Sequence, residues 1–307
     1  MAPIEIPQRD RMPHHFQNFR ETHLILETNE EDKDKVLFPE GWQKAKRVAI
    51  LAKTHNTVQL NNILEKLASN TSLRSLYIHW TDEQFPVILT SFGQLQHLGL
   101  VNHALRAVPG DIDNLRHLRT LRMATTSLLG LPSNIGKLKK LKELYLMVHQ
   151  MECLPKSFTK LTSLEYFGLL IKDMDIRKDW ERDYHFPARW KHSSEELVEQ
   201  LSLFPDLKRL FLGYSSSQHP QGHQSDPLPE NFADLHALEE LELETLFGLT
   251  GLKQVAQMPN LKKIWGNFFV AKDFLSWLQK TFPQGQLVKT EPELFYSGGY
   301  YEINASL

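Results

Sequence analysis

The side chains richest in potential chemistry lie in one stretch, DMDIRKDWERDYHFPARWKH, residues 173–192. Asp173, Asp175, Asp179, Glu181, Asp183 and His185 are of the types that perform acid–base work, provided burial moves their proton affinities toward neutrality. Trp180, Tyr184, Phe186 and Trp190 in the same stretch are too much aromatic surface to leave in water. The stretch therefore folds back on the protein or meets a partner. Cys153, the only cysteine, sits in MECLPKSF among apolar residues, which suits a packed thiol better than a nucleophile. It also excludes an intramolecular disulfide framework. His219 and His223 are four apart, but in a Pro/Gly/Ser-rich segment where that spacing does not bring them to one helix face. No carboxylate or cysteine pattern completes a metal site there. Ser297-Gly298-Gly299 has no helix after it and is not a phosphate cradle. No metal and no cofactor is expected. The chain reads as no enzyme, the alternative being an enzyme with its site in the 173–206 segment.

What must position any site is a repeat. Leu95, Leu118 and Leu141 each open a 23-residue copy of LxxLxLxxxxLxxLPxxIxxLxx. The same first position recurs at Leu73, Leu164, Leu207, Leu238 and Leu261, with a weaker copy from Ala45. Its fourth position is Val48, Leu76, Leu98, Leu121, Leu144, Phe167, Leu210, Leu241 and Ile264. The sixth is apolar from Ile50 to Leu243 and fails only at Gly266. In a strand, alternate residues share a face, so positions 4 and 6 go inward and positions 3 and 5 outward. The Leu-Pro step at Leu131-Pro132 and Leu154-Pro155, matched by Val108-Pro109 and Leu228-Pro229, stops the strand. Ile112, Ile135, Phe158 and Phe232, each followed three residues on by a leucine, supply an apolar layer on the return side.

These residues resemble the leucine-rich-repeat family, in the 23-residue intracellular type with Ras-interacting-like, plant and bacterial members. The resemblance covers roughly residues 45 to 268. It implies an α/β fold, a leucine-rich-repeat solenoid (a right-handed horseshoe) with a parallel concave sheet. Position 9, usually asparagine in that family, is Thr81, His103, Thr126, His149, Lys172, Ser215, Leu246 and Phe269, so no asparagine ladder is expected. The Thr, Ser and His side chains can make part of the same turn bonds. Stacked repeats leave apolar ends that need polar caps. Residues 1–44, with a strand at THLILE, are expected as the N-terminal cap, and 269–307 as the C-terminal cap and tail. A helix at AKDFLSWLQKT and a strand at Gln286 to Lys289 are expected within the latter.

Two insertions break the rhythm, in 173–206 and 215–227. Both start just past a strand and so leave from one rim. The first ends in Ser193-Ser194-Glu195-Glu196, a capping box opening a helix through about Leu203. Formal charge is −2, from 35 basic and 37 acidic residues, which gives no global pull toward nucleic acid or membrane. With no apolar run long enough to span a bilayer and no secretory leader, a cytoplasmic location is expected, its own or a host's after translocation. Asn70-Thr71-Ser72 then matches a glycosylation sequon by chance. The outward strand positions concentrate Tyr77, Arg122, Tyr145, Tyr166, Arg209, Phe211, Tyr214 and Trp265, with Trp80 and Phe268 near the rim. Tyr, Trp and Arg are the types enriched at interface hot spots. The expected function is therefore a non-catalytic, monomeric module that holds a protein partner on its concave face and long insertion. Adaptor, immune-sensor fragment and bacterial effector all fit that description.

Overall fold

The computed structural model describes residues 24–27, 38–52, 57–102, 104–151, 154–172, 189–190, 194–215, 229–243, 253–265, 272–288 and 300–303. They fall in two compact units, one of residues 1–148 with 155–163, the other of 149–154 with 164–307. In the first unit six strands, β1 (Leu24–Glu27), β2 (Arg47–Leu51), β3 (Ser75–His79), β4 (His97–Asn102), β5 (Thr120–Thr125) and β6 (Glu143–Val148), lie side by side in chain order. Every pairing among them is parallel. In the second unit β7 (Gln150–Met151) precedes β8 (Tyr166–Lys172), and β9 (Arg189–Trp190) precedes β10 (Arg209–Ser215), β11 (Glu240–Leu243) and β12 (Lys263–Trp265). There β8, β10, β11 and β12 form the parallel sheet.

The register is that of the repeat. Val48, Leu76, Leu98, Leu121 and Leu144 face one another across the first unit's strands, and Phe167, Leu210, Leu241 and Ile264 across the second's. All nine are buried, as are the opening leucines from Leu73 to Leu261. One repeat cannot bury its apolar edge alone, so these ladders exist only by stacking. Backbone bonds hold the stack at the edge where strands begin. The Lys46 carbonyl accepts from the amides of Arg74 and Ser75, and Arg74 does the same for Gln96 and His97. The pattern repeats at Gln96 and Arg119, and in the second unit at Glu165, Lys208 and Glu239.

On the return side each Leu-Pro or Val-Pro step leads into a one-and-a-half-turn 3₁₀ segment: 110–114, 133–137, 156–160 and 230–234. Pro109, Pro132, Pro155 and Pro229 all hold φ between −67° and −65° with extended ψ. Their carbonyls accept the amides of Ile112, Ile135, Phe158 and Phe232, and those four side chains are fully buried. Gly136 shows how tightly these segments stack, because a Cβ there would collide with the Ser157 carbonyl.

Longer return segments become helices. The helix α1 (Thr57–Ala68) links β2 to β3 and seats Leu60, Ile63, Leu64 and Leu67 inward. Repeat periodicity passes over it, although that spacing is its signature. The expected helix after the long insertion is α2 (Ser194–Ser202), and the expected C-terminal helix is α3 (Lys272–Thr281). Residues 300–302 form β14, which runs antiparallel between β12 and β13 (Gln286–Val288). It covers a strand edge that would otherwise offer unpaired backbone groups. Among the described residues no helix is long and apolar enough to cross a membrane.

Asparagines do the turn work, at other positions than the family pattern implies. Asn102, one residue before position 9, is fully buried. Its Oδ1 accepts the amides of Ala104 (2.7 Å) and Leu105 (2.6 Å), while its Nδ2 donates to the Asp82 carbonyl at 2.7 Å. Asn70 Nδ2 donates to the carbonyls of Trp42 (3.1 Å) and Ala45 (2.9 Å), tying the approach to β2 to the next repeat. A buried, doubly bonded amide nitrogen leaves no room for a glycan on Asn70.

Candidate functional site

Outward side chains follow two rows. In the first unit the position-3 row is Arg47, Ser75, His97, Thr120 and Glu143, and the position-5 row is Ala49, Tyr77, Gly99, Arg122 and Tyr145. In the second, the rows are Tyr166, Arg209, Glu240, Lys263 and Gly168, Phe211, Glu242, Trp265. Register thus puts Tyr77, Arg122, Tyr145, Tyr166, Arg209, Phe211 and Trp265 on the face assigned to them. Tyr214 lies in β10, and its side chain is outside the described residues.

Accessibility departs from expectation. Tyr145 and Phe211 have no exposed surface at all, Tyr77 is 4% exposed and Tyr166 9%. Val101, Ala124, Met147 and Leu170, two residues further along their strands, are also buried. Strand alternation decides from which side of a sheet a side chain leaves, and says nothing about what lies against that side. Burial pushes the Tyr77 phenol well above its ordinary ionisation range, so it stays neutral. Trp80, at position 8, turns inward, 1% exposed, and its Nε1 donates to the Gln84 carbonyl at 3.2 Å.

The polar members of the rows are held by neighbours. Arg122 Nη2 donates to Glu143 Oε2 at 2.9 Å across β5 and β6, with little of either side chain exposed. Next to this pair His97 Nδ1 lies 3.1 Å from Thr120 Oγ1. His97 is held below its usual proton affinity, chiefly by desolvation, with Arg47, Arg119 and Arg122 adding to the effect and Glu143 opposing it. In the second unit Arg209 is exposed and its guanidinium lies 5.0 Å from the Tyr166 ring centroid, a cation–π contact. Half-buried Trp265 donates from Nε1 to Glu240 Oε2 at 3.4 Å, and Lys263 Nζ stands 3.7 Å from Glu240 Oε1. Glu240 is thus paired across strands, and Glu239, just before β11, pairs with Lys262 at 2.7 Å. That hydrogen bond lowers the Glu239 carboxyl's proton affinity.

Much of the chemistry-bearing sequence lies outside the described residues: the acidic run with its tryptophan Trp180, Cys153, His219, His223 and Phe268. What is visible of the long insertion is its return. Strand β9 pairs in parallel with β7, Gln150 opposite Arg189 and Met151 opposite Trp190. The end of the insertion is thereby tied to the Gln150–Met151 strand of the same unit. A depression of about 170 Å³ lies between α2 and the 230–234 segment, lined by Leu201, Phe204, Leu235 and His236 among others. It is smaller than the ~300 Å³ at which small-molecule clefts begin.

Comparison with known proteins places this arrangement. The model of the family described as leucine-rich repeat region matches residues 88–284. No curated protein matches the chain. Among solved structures, similarity extends to an internalin from Listeria monocytogenes, 16% identical over 74% of this chain and 55% of that one, TM-score 0.44. It extends also to a leucine-rich-repeat protein from Leptospira interrogans, 18% identical over 75% of this chain and 51% of that one, TM-score 0.46. A Listeria monocytogenes internalin C2 is 16% identical over 65% of this chain and 73% of that one, TM-score 0.39. The chain spans about half the length of the first two.

Proposed function

Because the chain belongs to the leucine-rich-repeat family, we propose that it is a non-catalytic protein-interaction module, reading a protein partner from the outward rows of its parallel sheet. As an adaptor, an immune-sensor fragment or a bacterial effector it would use the same surface. The observation carrying this reading is the second unit's Arg209–Tyr166 stack beside Trp265, Glu240 and Lys263. An accessible arginine on a tyrosine, flanked by a half-exposed tryptophan, has the composition of an interface hot spot. Arg209 and Trp265 are its contact residues. On the outward rows of their own units Tyr77, Tyr145 and Phe211 are buried and Arg122 is paired with Glu143, so none of them is a contact residue. Replacing Tyr145 or Phe211 by alanine would cost ~3–5 kcal/mol of folding stability, so neither reports on binding.

The test uses a photo-crosslinking amino acid at position 209 or 265, with position 230 on the return side as control. Exposed to an extract of the cells that make the protein, the first two should yield a shared, discrete adduct absent from the third. Truncating Arg209 to alanine should then cut adduct yield through a loss of ~2 kcal/mol, about 30-fold in affinity. Adducts that do not differ between positions 209 and 230 would sink the reading.

A further inference from the structure

Near-neutral total charge hides an uneven edge. One residue before each strand, the repeat's second position is Lys46, Arg74, Gln96, Arg119 and Lys142 in the first unit. In the second unit it is Glu165, Lys208, Glu239 and Lys262, where signs alternate and Glu239 pairs with Lys262. Only in the first unit do all the charged second positions share one sign, with neutral Gln96 among them. Backbone geometry makes this a row rather than a scatter. From Lys46 to Arg119 each second-position carbonyl accepts two amides from the next repeat, so the Cα atoms advance at the strand spacing, ~4.8 Å. Lys46, Arg119 and Lys142 are exposed and Arg74 is half-buried. Just behind them Arg116 and Lys140, also exposed, add to the same sign. Glu143 pairs with Arg122 and Asp113 with Lys137, each at 2.9 Å, while Lys142 has an interaction of its own. Among the described residues no carboxylate pairs with Lys46, Arg116, Arg119 or Lys140.

We infer that this edge of the first unit docks an acidic, extended segment of the protein partner. The inference rests on the interaction-module reading and names the chemistry of one part of the partner. From Lys46 to Lys142 the row spans about 19 Å at the strand spacing, the reach of roughly six extended residues. The row is single-file, which suits a chain rather than a plane of lipid headgroups. Nor does it offer what single-stranded nucleic acid needs. Stacking platforms are aromatic, yet the second positions and the two residues before each opening leucine carry no ring but that of His117. The nearest tyrosines on the face, Tyr77 and Tyr145, are buried. A row that like-charge repulsion makes costly to hold gains most from an anionic guest.

Fluorescence anisotropy of a labelled ten-residue Asp/Glu peptide, added to the full chain, tests this against a Gln/Asn peptide of equal length. The acidic peptide should bind at least tenfold more tightly than the neutral one at low salt. The combined Lys46→Gln, Arg119→Gln and Lys142→Gln variant should lose tenfold or more. A Lys208→Gln, Lys262→Gln variant of the second unit should change less than twofold. The single Arg119→Gln substitution, at an exposed position, should lose severalfold if the triple variant unfolds. Equal losses in the two units' variants, or no preference for the acidic peptide, would overturn the inference. So would oligo(dT), or vesicles containing a third phosphatidylserine, binding more tightly than the peptide. Crosslinking from positions 209 and 265 is read separately. Retained adducts with no peptide preference remove this inference alone, and lost adducts with peptide binding intact remove the sheet-face reading alone.

Discussion

His97 condenses the electrostatics of the first unit into one titration. It is half-buried on β4, 3.1 Å from Thr120 Oγ1, in the field of three arginines and one glutamate. Its folded proton affinity lies below the ordinary value of 6.5, so the unfolded chain binds the proton more readily. Stability from this group is therefore fully present above 6.5 and drains away as pH falls from there through the folded value. Thermal unfolding at pH 7.5 and 5.5 should show a larger drop for the wild type than for His97→Gln. Equal drops would mean that His97 is not shielded in the fold. The surface pair Glu239–Lys262, in contrast, is short but exposed, and such pairs contribute ~0–1 kcal/mol.

Among elements, the 3₁₀ segments show what stacking costs and gains. Each is set by a proline whose φ suits it and whose missing amide hydrogen needs no partner. Each then presents one large apolar side chain to the interior. Neighbouring segments approach so closely at 133–137 and 156–160 that Gly136 has no space for a methyl group against Ser157. Gly136→Ala should lower stability by ~1–3 kcal/mol, the usual range for overpacking, measured by urea unfolding. At the corresponding Asp113 and Thr159 a side chain is accommodated, so alanine there should be near neutral. A Gly136→Ala protein as stable as the wild type would mean that the two segments separate freely.

At the scale of the whole molecule, a formal charge of −2 conceals a first unit with a cationic edge. Like charges one or two strands apart repel within the ~10 Å Debye length of 0.1 M salt. Raising NaCl from 20 to 200 mM should therefore stabilise the protein, by about 1 kcal/mol or less given ~0.2–0.5 kcal/mol per like-charged neighbour pair. The gain should shrink in the Lys46→Gln, Arg119→Gln, Lys142→Gln variant. A salt response that is unchanged by those substitutions would assign the effect to some other charges.

The repeat register was legible from residue types alone, because apolar positions 1, 4 and 6 can be buried together only if every strand keeps one phase. Leu73 to Leu261 and Val48 to Ile264 are buried as that phase demands. Helix α2 followed from its capping box and α3 from its apolar spacing, whereas α1 was masked by the repeat count laid over it. The side of the sheet from which Tyr77, Tyr145 and Phe211 leave was equally determined, since alternation is local geometry. Their accessibility was not. Burial depends on what lies against the face, a long-range property that no strand pattern encodes, and tertiary structure alone reveals that the aromatics are covered while Arg209 stands open. Charge behaves in the same way. Lys46, Arg74, Arg119 and Lys142 are separated by 22 residues or more in sequence, and become one row only when parallel strands set them side by side.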